Sequence, residues 1–454
     1  MALAYMDELR EILGSRLLLD PDVVAAYSQD RATFLRPEAP AAVALAHSTD
    51  EVAAIMRVCS AAGVAVVPRG AGTGLAGGAN AIRGCLVLCV AQMDRILDID
   101  PANMLAVVQP GVINADLKKA VAEQGLEYPP DPSSFEICSI GGNVATNAGG
   151  LCCVRYGVTR DYVLGLEVVL ADGTVLRTGR RTMKGVAGYD LTALIVGSEG
   201  TLAVVTEVTV RLRPKGHPPS TMVAFFPTLE ESGAAIAAIR RAMVPSMLEL
   251  MDQRTVAAVE GWKHLGLDTD AAAMVLAQAD TGSEAATEVA FMAGVCEEEG
   301  ASSVVSASDE FESRMLVQAR RLAIPAIEQR GSWLLDDIGV PCARVPDLLR
   351  RVERIAELRE TDTYSFGHAG DGNMHPTMVF DPLDPVARER AELALDDIVY
   401  AALDLGGTCT GEHGVGLLKR RHLGREVGAD SLALQRRIKA SFDPQGILNP
   451  GKAL

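Results

Sequence analysis

A strand that runs straight into a dense cluster of glycines is the feature that most restricts the fold of this 454-residue chain. In VVPRGAGTGLAGGAN, residues 66–80, five glycines stand within nine positions. The spacing Gly72-x-Gly74-x-x-Gly77 matches the dinucleotide fingerprint, and Asp94 follows about where a ribose-binding acid is expected. A Rossmann loop must open a helix, but the next residues lack helical periodicity and lead into a strand. We therefore predict a different glycine loop, whose backbone amides bind a diphosphate.

Two further glycine-containing segments are typical of a chain that lines a polar ligand. Residues 129–150, PPDPSSFEICSIGGNVATNAGG, combine glycines with short polar side chains: Ser133, Ser134, Asn143, Thr146 and Asn147. We expect this segment to be extended, with its amides free to run along a ligand. A third segment, IVGSEGTLAVVTEVTVRL, places a small turn at residues 197–200 before a long strand.

The first half of the chain predicts an α+β arrangement. The strand AVALAHS precedes a helix over STDEVAAIMRVCSAAG, with Ser48 as N-cap, Glu51 as capping-box partner and Gly63 as the closing residue. The strand VAVVPRG then completes a βαβ unit. A helix is expected from Asn114 to about Gln124, and LGLEVVLADGTVLRT predicts a hairpin that turns at Asp172-Gly173.

A segment rich in proline and glycine, RLRPKGHPPS, marks a domain boundary between residues 211 and 220. Beyond it, helices near 229–243, 282–299, 309–329 and 384–404 alternate with strands near 221–226, 247–252, 272–278, 302–306 and 333–338. This alternation predicts a separate layered α/β or α+β domain. The last stretch, FDPQGILNPGK, has turn chemistry without a core of its own, so we expect it to pack against the first domain.

Two of the seven histidines flank a short polar loop in TYSFGHAGDGNMHPTMVFD, residues 363–381. The runs on each side alternate with the period of a strand, so the loop should bring His368 and His375 to one end of a sheet. Such a pair can bind a metal, act as acid and base, or do neither. In CTGEHGVGLL, Glu412 and His413 also stand between glycines, and a borderline divalent metal takes imidazole and carboxylate ligands.

Composition argues against several classes of partner. The formal net charge of −17 disfavours nucleic acid and anionic membranes, which bind clustered Lys and Arg. The nine cysteines contain no C-x-x-C pair, so no iron–sulfur cluster or zinc ribbon is predicted, and their scatter suits a reducing compartment. The start, MALAYMDELREILGSR, predicts an acidic amphipathic helix and no targeting peptide. Without an 18-residue apolar run, we predict a cytoplasmic protein with no membrane span.

Six motifs occur in order along the chain: PRGAGTGLAGG, IGGNVATNAGG, VGSEGTLAVVTEV, GHAGDGNMH, TGEHGVG and FDPQGILNPGK. Together they resemble the FAD-linked D-2-hydroxyacid dehydrogenases of the vanillyl-alcohol-oxidase type, which include glycolate oxidase catalytic subunits, D-lactate dehydrogenases and D-2-hydroxyglutarate dehydrogenases. The resemblance implies an α+β fold in which a two-lobed FAD-binding domain carries an inserted α/β cap domain for the substrate. We accordingly predict an FAD domain at residues 1–215, a cap at 216–408 and a segment returning to the FAD domain at 409–454.

The resemblance also implies which residues bind FAD. The family's pyrophosphate loop corresponds to Pro68, Arg69, Gly70, Ala71, Gly72, Thr73 and Gly74, and its run along the ribityl chain and ring corresponds to Pro132, Ser133, Gly141, Gly142, Ala145, Thr146 and Gly149. Its third FAD contact corresponds to Glu199, Gly200 and Val205, and the contact from the C-terminal tail corresponds to Asn449. Covalent flavin in this superfamily needs a His or Cys beside the ring. Because no histidine lies between residues 47 and 217, we predict noncovalent FAD.

In metal-dependent members of the family, the ligands match His368, His375 and Glu412, with zinc or manganese as the expected ion. The resemblance implies oxidation of a 2-hydroxy acid to a 2-oxo acid, with the hydroxyl proton going to His413 and the hydride to the flavin. Arg320, in QARRLAIP, matches the group that binds the substrate carboxylate. From the residues alone, a solvated helix face is nearly as good an interpretation of Arg320.

Several alternatives remain open at this point. In members specific for D-2-hydroxyglutarate, the second carboxylate is held at positions that correspond to the apolar Ile324 and Leu335, so we expect a small monocarboxylic acid such as glycolate or D-lactate. D-2-hydroxyglutarate is the alternative substrate. A noncatalytic flavin-binding subunit would lack one of the four His and Glu residues, and a metal-dependent hydrolase would leave the glycine segments unexplained. The electron acceptor is an unidentified partner, and a homodimer is left open.

Overall fold

The computed structural model describes residues 4–182 and 184–454, so residues 1–3 of the predicted N-terminal helix lie outside the described part. Its α-helices are α1 (Ala4–Leu13), α2 (Pro21–Ala25), α3 (Thr49–Ala62), α4 (Asn114–Ala122), α5 (Ile140–Thr146), α6 (Cys153–Tyr156), α7 (Thr159–Tyr162), α8 (Leu191–Ile195), α9 (Leu229–Ala242), α10 (Gln253–Lys263), α11 (Ala285–Glu298), α12 (Glu310–Arg321), α13 (Ala323–Glu328), α14 (Val345–Arg359), α15 (Pro385–Asp404), α16 (Arg420–Val427) and α17 (Ala429–Phe442).

The strands are β1 (Leu17–Leu18), β2 (Ala42–Leu45), β3 (Val66–Arg69), β4 (Leu86–Cys89), β5 (Ile96–Asp100), β6 (Leu105–Val108), β7 (Leu126–Glu127), β8 (Val163–Val169), β9 (Val175–Gly179), β10 (Val204–Arg211), β11 (Arg213–Pro214), β12 (Ser220–Phe226), β13 (Met247–Asp252), β14 (Ala273–Ala279), β15 (Ser303–Ser306), β16 (Ser332–Leu335), β17 (Ile338–Gly339), β18 (Asp362–His368) and β19 (Asn373–Phe380).

The chain divides into two compact units. Unit 1 comprises Met1–Gly149, Val158–Lys215 and Glu412–Leu454, and unit 2 comprises Gly150–Gly157 and Gly216–Gly411. The short excursion of Gly150–Gly157 into unit 2 carries no signal that we recognised in the sequence. The functional domain limits given above stay a prediction.

The βαβ element of unit 1 is formed by β2, α3 and β3, with β4 pairing in parallel between the two strands. The Ser48 hydroxyl accepts the Glu51 amide, and Gly63 closes α3 with a φ of 65°, as predicted. The expectation that Glu51 completes a capping box is wrong. Its carboxylate instead accepts hydrogen bonds from both terminal nitrogens of Arg16, each at 2.6 Å, and from the His47 amide, because a guanidinium offers stronger, charge-assisted hydrogen bonds.

The rest of unit 1 is built on an antiparallel sheet with the strand order β5-β6-β10-β8-β9. Gly173, with a φ of 82°, makes the tight turn of the β8–β9 hairpin. The C-terminal segment joins this unit through a bridge between Leu448 and Val66, and Leu448 is fully buried. The expectation that this segment packs against the first part of the chain therefore agrees with these contacts.

Unit 2 contains one large sheet with the order β15-β12-β14-β13-β18-β19-β16, and β17 pairs with β19. Five of its strands lie within a few residues of the predicted positions. The helix predicted at 309–329 is two helices, α12 and α13, and Pro325 lies in the first turn of α13, where its missing amide is tolerated. Helices α10 and α14 were not predicted.

Within the described residues, every helix is too short or too polar to cross a lipid bilayer.

Candidate active site

The glycine loop leaves β3 after Arg69 and reaches β4 without forming a helix, in agreement with the rejection of a Rossmann loop. Among the residues that the structure describes, the amides of Gly70, Gly72, Thr73 and Gly74 have no hydrogen-bond acceptor. Consecutive amides of this kind form a site for an anion such as a diphosphate. The loop is partly buried.

The second glycine segment contacts the first. The Ser139 hydroxyl accepts both the Ala71 amide and the Gly142 amide at 3.3 Å, and a Cβ at Gly70 would lie 2.5 Å from the Ser139 oxygen. Our expectation that this whole segment is extended is wrong, because Ile140–Thr146 forms helix α5. Ser139 caps the helix, and buried apolar side chains at 140 and 144 anchor it, which overrides the low helix propensity of its two glycines.

The remaining residues assigned to this segment lie around α5. Gly141 packs against Pro110, where an added Cβ would be 2.5 Å from the proline Cβ. Thr146 donates its hydroxyl to the Gly142 carbonyl at 3.3 Å. Ala145 is partly buried, Pro132 and Gly149 are buried, and Ser133 is exposed.

The turn at residues 197–200 meets the C-terminal end of α5. The Gly197 amide donates to Val144 at 2.9 Å, and the Glu199 amide donates to Ala145 at 2.8 Å. Gly197 and Gly200 have φ values of 83° and 69°, which explains the two glycines. Val205 follows on β10 and is partly buried.

Asn449 ties the C-terminal tail to these loops. Its side-chain amide donates to the carbonyls of Gly78 at 2.9 Å and Glu199 at 2.7 Å, and its own backbone amide donates to Val66. Lys452, which is also buried, donates to the Asn449 side-chain oxygen at 3.1 Å. The three glycine segments and the tail are therefore neighbours within unit 1.

The side chain of Glu199 is directed to the start of the C-terminal segment. Its two carboxylate oxygens accept the amides of Val415 and Gly416, each at 2.8 Å. Burial raises the pKa of Glu199 to about 7, although these two amides act in the opposite direction. Because both oxygens are engaged in this way, the flavin contact assigned to Glu199 stays a prediction.

The hairpin of β18 and β19 places two imidazoles side by side in unit 2. In its register His368 pairs with Asn373 and His375 with Phe366, and residues two apart along a strand share a face. Both rings therefore lie on one face of the sheet. Their centroids are 5.2 Å apart and their planes nearly perpendicular, and both residues are buried.

Behind His368 stands a buried ion pair that the sequence analysis did not foresee. Glu249 on β13 accepts a hydrogen bond from His368 Nδ1 at 2.8 Å, and its other oxygen lies 2.7 Å from Arg320 Nε in an ion pair. A carboxylate only accepts, so Nδ1 carries a hydrogen, and in the neutral form of the ring the lone pair is on Nε2. Lone-pair donation from Nε2 is what a metal ligand requires.

Arg320 is 5% exposed, so its interpretation as part of a solvated helix face is wrong. Its guanidinium carbon lies 4.8 Å from the centre of the Phe366 ring, within the range of a cation–π contact. Within the part of the chain described, its two terminal nitrogens have no hydrogen-bond acceptor. This guanidinium is therefore fixed at Nε, and its fork is able to bind a carboxylate.

Asp337 is a second buried carboxylate of unit 2. Its oxygens accept the Asn373 side-chain amide at 2.7 Å, the Thr410 hydroxyl at 2.7 Å and the Gly411 amide at 2.9 Å. One of them lies 3.7 Å from Nδ1 of His375. Asp337 thus orients the hairpin and the residues that immediately precede Glu412.

The sequence did contain signals for both carboxylates. Glu249 is the lone acid in the apolar strand MLELM, and Asp337 ends the strand-like run WLLDD. Acids at such positions are rarely fully buried unless they are paired.

Glu412 and His413 open the last segment of unit 1, where Glu412 Oε1 lies 3.7 Å from His413 Nε2 and both side chains are mostly buried.

Comparison with known proteins assigns the family. The description "FAD binding domain" matches residues 40–179, and "FAD linked oxidases, C-terminal domain" matches residues 218–453. The chain belongs to the FAD-linked oxidases. The oxidoreductase class and the FAD cofactor expected from the sequence are thereby confirmed.

Relatives of this family match along nearly the whole chain. Glycolate oxidase subunit GlcD of Bacillus subtilis is 43% identical over 94% of this chain and 91% of its own length. Glycolate oxidase subunit GlcD of Escherichia coli K12 is 38% identical over 98% of this chain and 89% of its own length. A D-lactate dehydrogenase of Archaeoglobus fulgidus is 33% identical over 100% of this chain and 99% of its own length. The resemblance to the FAD-linked D-2-hydroxyacid dehydrogenases is confirmed.

Solved structures support the predicted fold. A substrate complex of p-cresol methylhydroxylase superposes with a TM-score of 0.83 at 17% identity, over 99% of this chain and 96% of its own. An isoeugenol complex of 4-ethylphenol oxidase from Gulosibacter chungangensis superposes with a TM-score of 0.80 at 20% identity, over 99% of this chain and 96% of its own. The prediction of an α+β, vanillyl-alcohol-oxidase-type fold is confirmed.

Proposed function

We propose that this chain oxidises a small D-2-hydroxy acid, such as glycolate or D-lactate, to the 2-oxo acid. The observation that carries the proposal is the pair of buried imidazoles, with the Nδ1 of His368 held by Glu249. The names of the relatives, glycolate oxidase subunit and D-lactate dehydrogenase, support this substrate class.

The three glycine segments and Asn449 would hold FAD without a covalent bond. The amides of Gly70, Gly72, Thr73 and Gly74, which have no acceptor among the described residues, suit its diphosphate. When bound, the flavin supplies the acceptor for a hydride from the substrate carbon. The partner that reoxidises it is an unidentified electron acceptor, and the word "subunit" in two relatives' names favours an acceptor protein within a complex.

His368, His375 and Glu412 would hold a divalent cation, zinc or manganese. The donor set fits, because two imidazoles and one carboxylate match the ligand preference of such ions. Glu249, which holds Nδ1 of His368, is the usual kind of outer partner of a ligating imidazole. Nδ1 of His375 lies 3.7 Å from Asp337, which is too far for a hydrogen bond. When bound, the cation lowers the pKa of the substrate hydroxyl.

His413 would take the hydroxyl proton as general base, since the ordinary pKa of an imidazole suits proton transfer near neutral pH. Arg320 would bind the substrate carboxylate through its two terminal nitrogens while Glu249 holds Nε. The charge of Glu249 also keeps Arg320 from being an isolated cation in the core.

Leu335 supports a short, apolar substrate tail. It pairs with Thr377, which lies two residues from His375 on the same face of the sheet, and it is 4% exposed among apolar neighbours that include Ile324. A second carboxylate beside these side chains would lack a partner, which costs several kcal/mol or forces protonation. This favours a monocarboxylic acid over D-2-hydroxyglutarate.

The metal assignment is tested by His368→Ala and His375→Ala, with His217→Ala, an exposed histidine of the same unit, as control. Elemental analysis of the purified holoenzyme should show loss of the divalent ion in the first two variants only, with normal flavin content. Flavin reduction by D-lactate in stopped flow should collapse in parallel. Full activity of chelated, metal-free enzyme would refute the assignment.

The substrate is tested by kcat/KM with a dye acceptor for both enantiomers of lactate, for glycolate and for D-2-hydroxyglutarate. We expect the D-enantiomer and the small acids to be preferred. A preference for D-2-hydroxyglutarate of about tenfold, or about 1.4 kcal/mol in transition-state binding, would favour that alternative. Absence of turnover with every acid, in a yellow protein, would favour the noncatalytic flavin-binding subunit.

A further inference from the structure

We infer that Glu199 is a positioning residue for His413. Its carboxylate fixes the backbone of the loop immediately after this histidine and so holds the imidazole where a proton is to be taken. The inference rests on the proposed function, in which His413 is the general base. It concerns the side chain of Glu199 and is separate from the flavin contact that the family resemblance suggests for this position.

The contact is a two-point clamp on consecutive peptide groups. Glu199 Oε1 accepts the amide of Val415 and Oε2 accepts that of Gly416, each at 2.8 Å. Gly414 lies directly on the carboxylate, since an added Cβ there would be 3.0 Å from Glu199 Cδ. Gly414 also has a φ of 89°, so its backbone takes a conformation that other residues rarely adopt. Residues 414–416 therefore follow the shape of the carboxylate.

Glu199 is itself held firmly. Its amide donates to Ala145 at 2.8 Å, its carbonyl accepts the Asn449 side chain at 2.7 Å, and it is 7% exposed. It also has a φ of 53°, an uncommon conformation for a residue with a side chain, and such strain persists only where the surroundings impose it. A carboxylate anchored in this way can define the position of a loop that has little structure of its own.

The loop needs such an anchor because GEHGVG contains three glycines in six residues, which leaves its backbone with unusual conformational freedom. A general base must lie within about 2.6–3.2 Å of the proton that it takes. A displacement of about 1 Å can lower a rate by roughly 10². Fixing residues 415 and 416 removes this freedom on the C-terminal side of His413.

The test compares Glu199→Gln with wild-type holoenzyme. The carboxamide keeps the size of the side chain but presents an NH₂ group to one of the two amides, so one point of the clamp is lost. The rate of flavin reduction by glycolate and D-lactate in stopped flow should fall by roughly 10–100-fold. Flavin content and flavin reduction by dithionite should stay normal.

The matched control is Glu167→Gln. Glu167 is also 7% exposed in unit 1. Its carboxylate accepts hydrogen bonds from the hydroxyls of Thr49 and Thr206 and pairs with Arg177, and within the described part of the chain none of its hydrogen bonds reaches the loop. The control should lose a similar amount of thermal stability without slowing flavin reduction. Equal rate losses in the two variants would show a general effect of buried-carboxylate removal and would overturn the inference.

The double variant Glu199→Gln/His413→Ala decides whether Glu199 acts through His413. We expect it to be no slower than His413→Ala alone, because residues that act as one unit are not additive. A further loss in the double variant would refute the inference and leave the base assignment intact. An unchanged rate in His413→Ala alone would refute the base assignment and the inference with it.

Hydrogen exchange on wild-type holoenzyme measures the clamp without any substitution. The amides of Val415 and Gly416 should exchange slowly, and exchange of both at the rate of an open loop would overturn the inference even if Glu199→Gln failed to fold.

Discussion

Replacing Arg320 by methionine should destabilise unit 2 far more than an ordinary surface substitution on the same helix. The side chains of Arg320 and Glu249 are 6% and 1% exposed, and Nε lies 2.7 Å from the carboxylate. Methionine keeps much of the apolar stem and removes the charge. Among the described residues, the Glu249 carboxylate then keeps only His368 as a partner.

The expected loss follows from this burial. Removing one partner of a buried ion pair costs about 3–5 kcal/mol, because the remaining charge stays desolvated. The hydrogen bond from His368 offsets part of this, so we expect about 3 kcal/mol. Arg314 lies on the same helix and pairs with Glu310 at the surface, where the side chains are 64% and 57% exposed. Arg314→Met should cost less than about 1 kcal/mol.

Urea unfolding of the holoenzymes, followed by circular dichroism, gives the free energy of unfolding for both variants. The double variant Arg320→Met/Glu249→Gln provides a second comparison, since it removes the isolated charge and keeps an acceptor for His368. It should recover most of the lost free energy. If Arg320→Met costs no more than Arg314→Met, or if the double variant is less stable than Arg320→Met, the buried charge is not the cause and our reasoning is wrong.

Three further outcomes can be checked directly. Gly141→Ala places a Cβ 2.5 Å from Pro110 and should lower the flavin content of the purified protein. The control is Gly261→Ala in an exposed part of α10, where a Cβ would meet no described atom within 4 Å, and it should gain about 0.5–1 kcal/mol of stability. Burial lowers the pKa of Lys452 from 10.5 to about 8. Between pH 8 and pH 10.5 the unfolded chain therefore binds more protons than the folded chain, so the stability of the wild type should rise with pH relative to that of Lys452→Met. An equal pH dependence of the two proteins would contradict this. Acid precipitation should release FAD into the supernatant, and yellow colour in the washed pellet would exclude noncovalent binding.

Local patterns predicted the elements whose stabilising contacts are also local. The cap at Ser48 and the turn at Gly173 depend on residues within a few positions, and both are found. Helix α5 was missed because its two glycines and Asn143 give a low intrinsic propensity, while its stability comes from tertiary burial. Helix α14 was missed despite a clear signal, since VPDLLRRVERIAELR has both an apolar stripe and an early proline.

Long-range charge pairing explains the other differences. Glu51 was assigned to a local capping box, but Arg16, 35 residues away, takes its carboxylate. Arg320 could not be distinguished from a solvated residue, because Glu249 lies 71 positions earlier on a strand that joins the sheet beside β18. The expectation that the two histidines meet at one end of a sheet agrees with the hairpin of β18 and β19, because strand alternation and a short loop are enough to bring them together.

Three buried carboxylates form hydrogen bonds with candidate site residues or with residues close to them along the chain. Glu249 holds His368, Asp337 holds the residues before Glu412, and Glu199 holds the residues after His413. Burying a carboxylate costs free energy that an apolar core residue would not cost. In each case the hydrogen bonds go to a candidate site residue or to a residue within three positions of one. Because stability alone would favour apolar residues at these positions, their placement indicates that the orientation of the candidate site residues is what these charges supply.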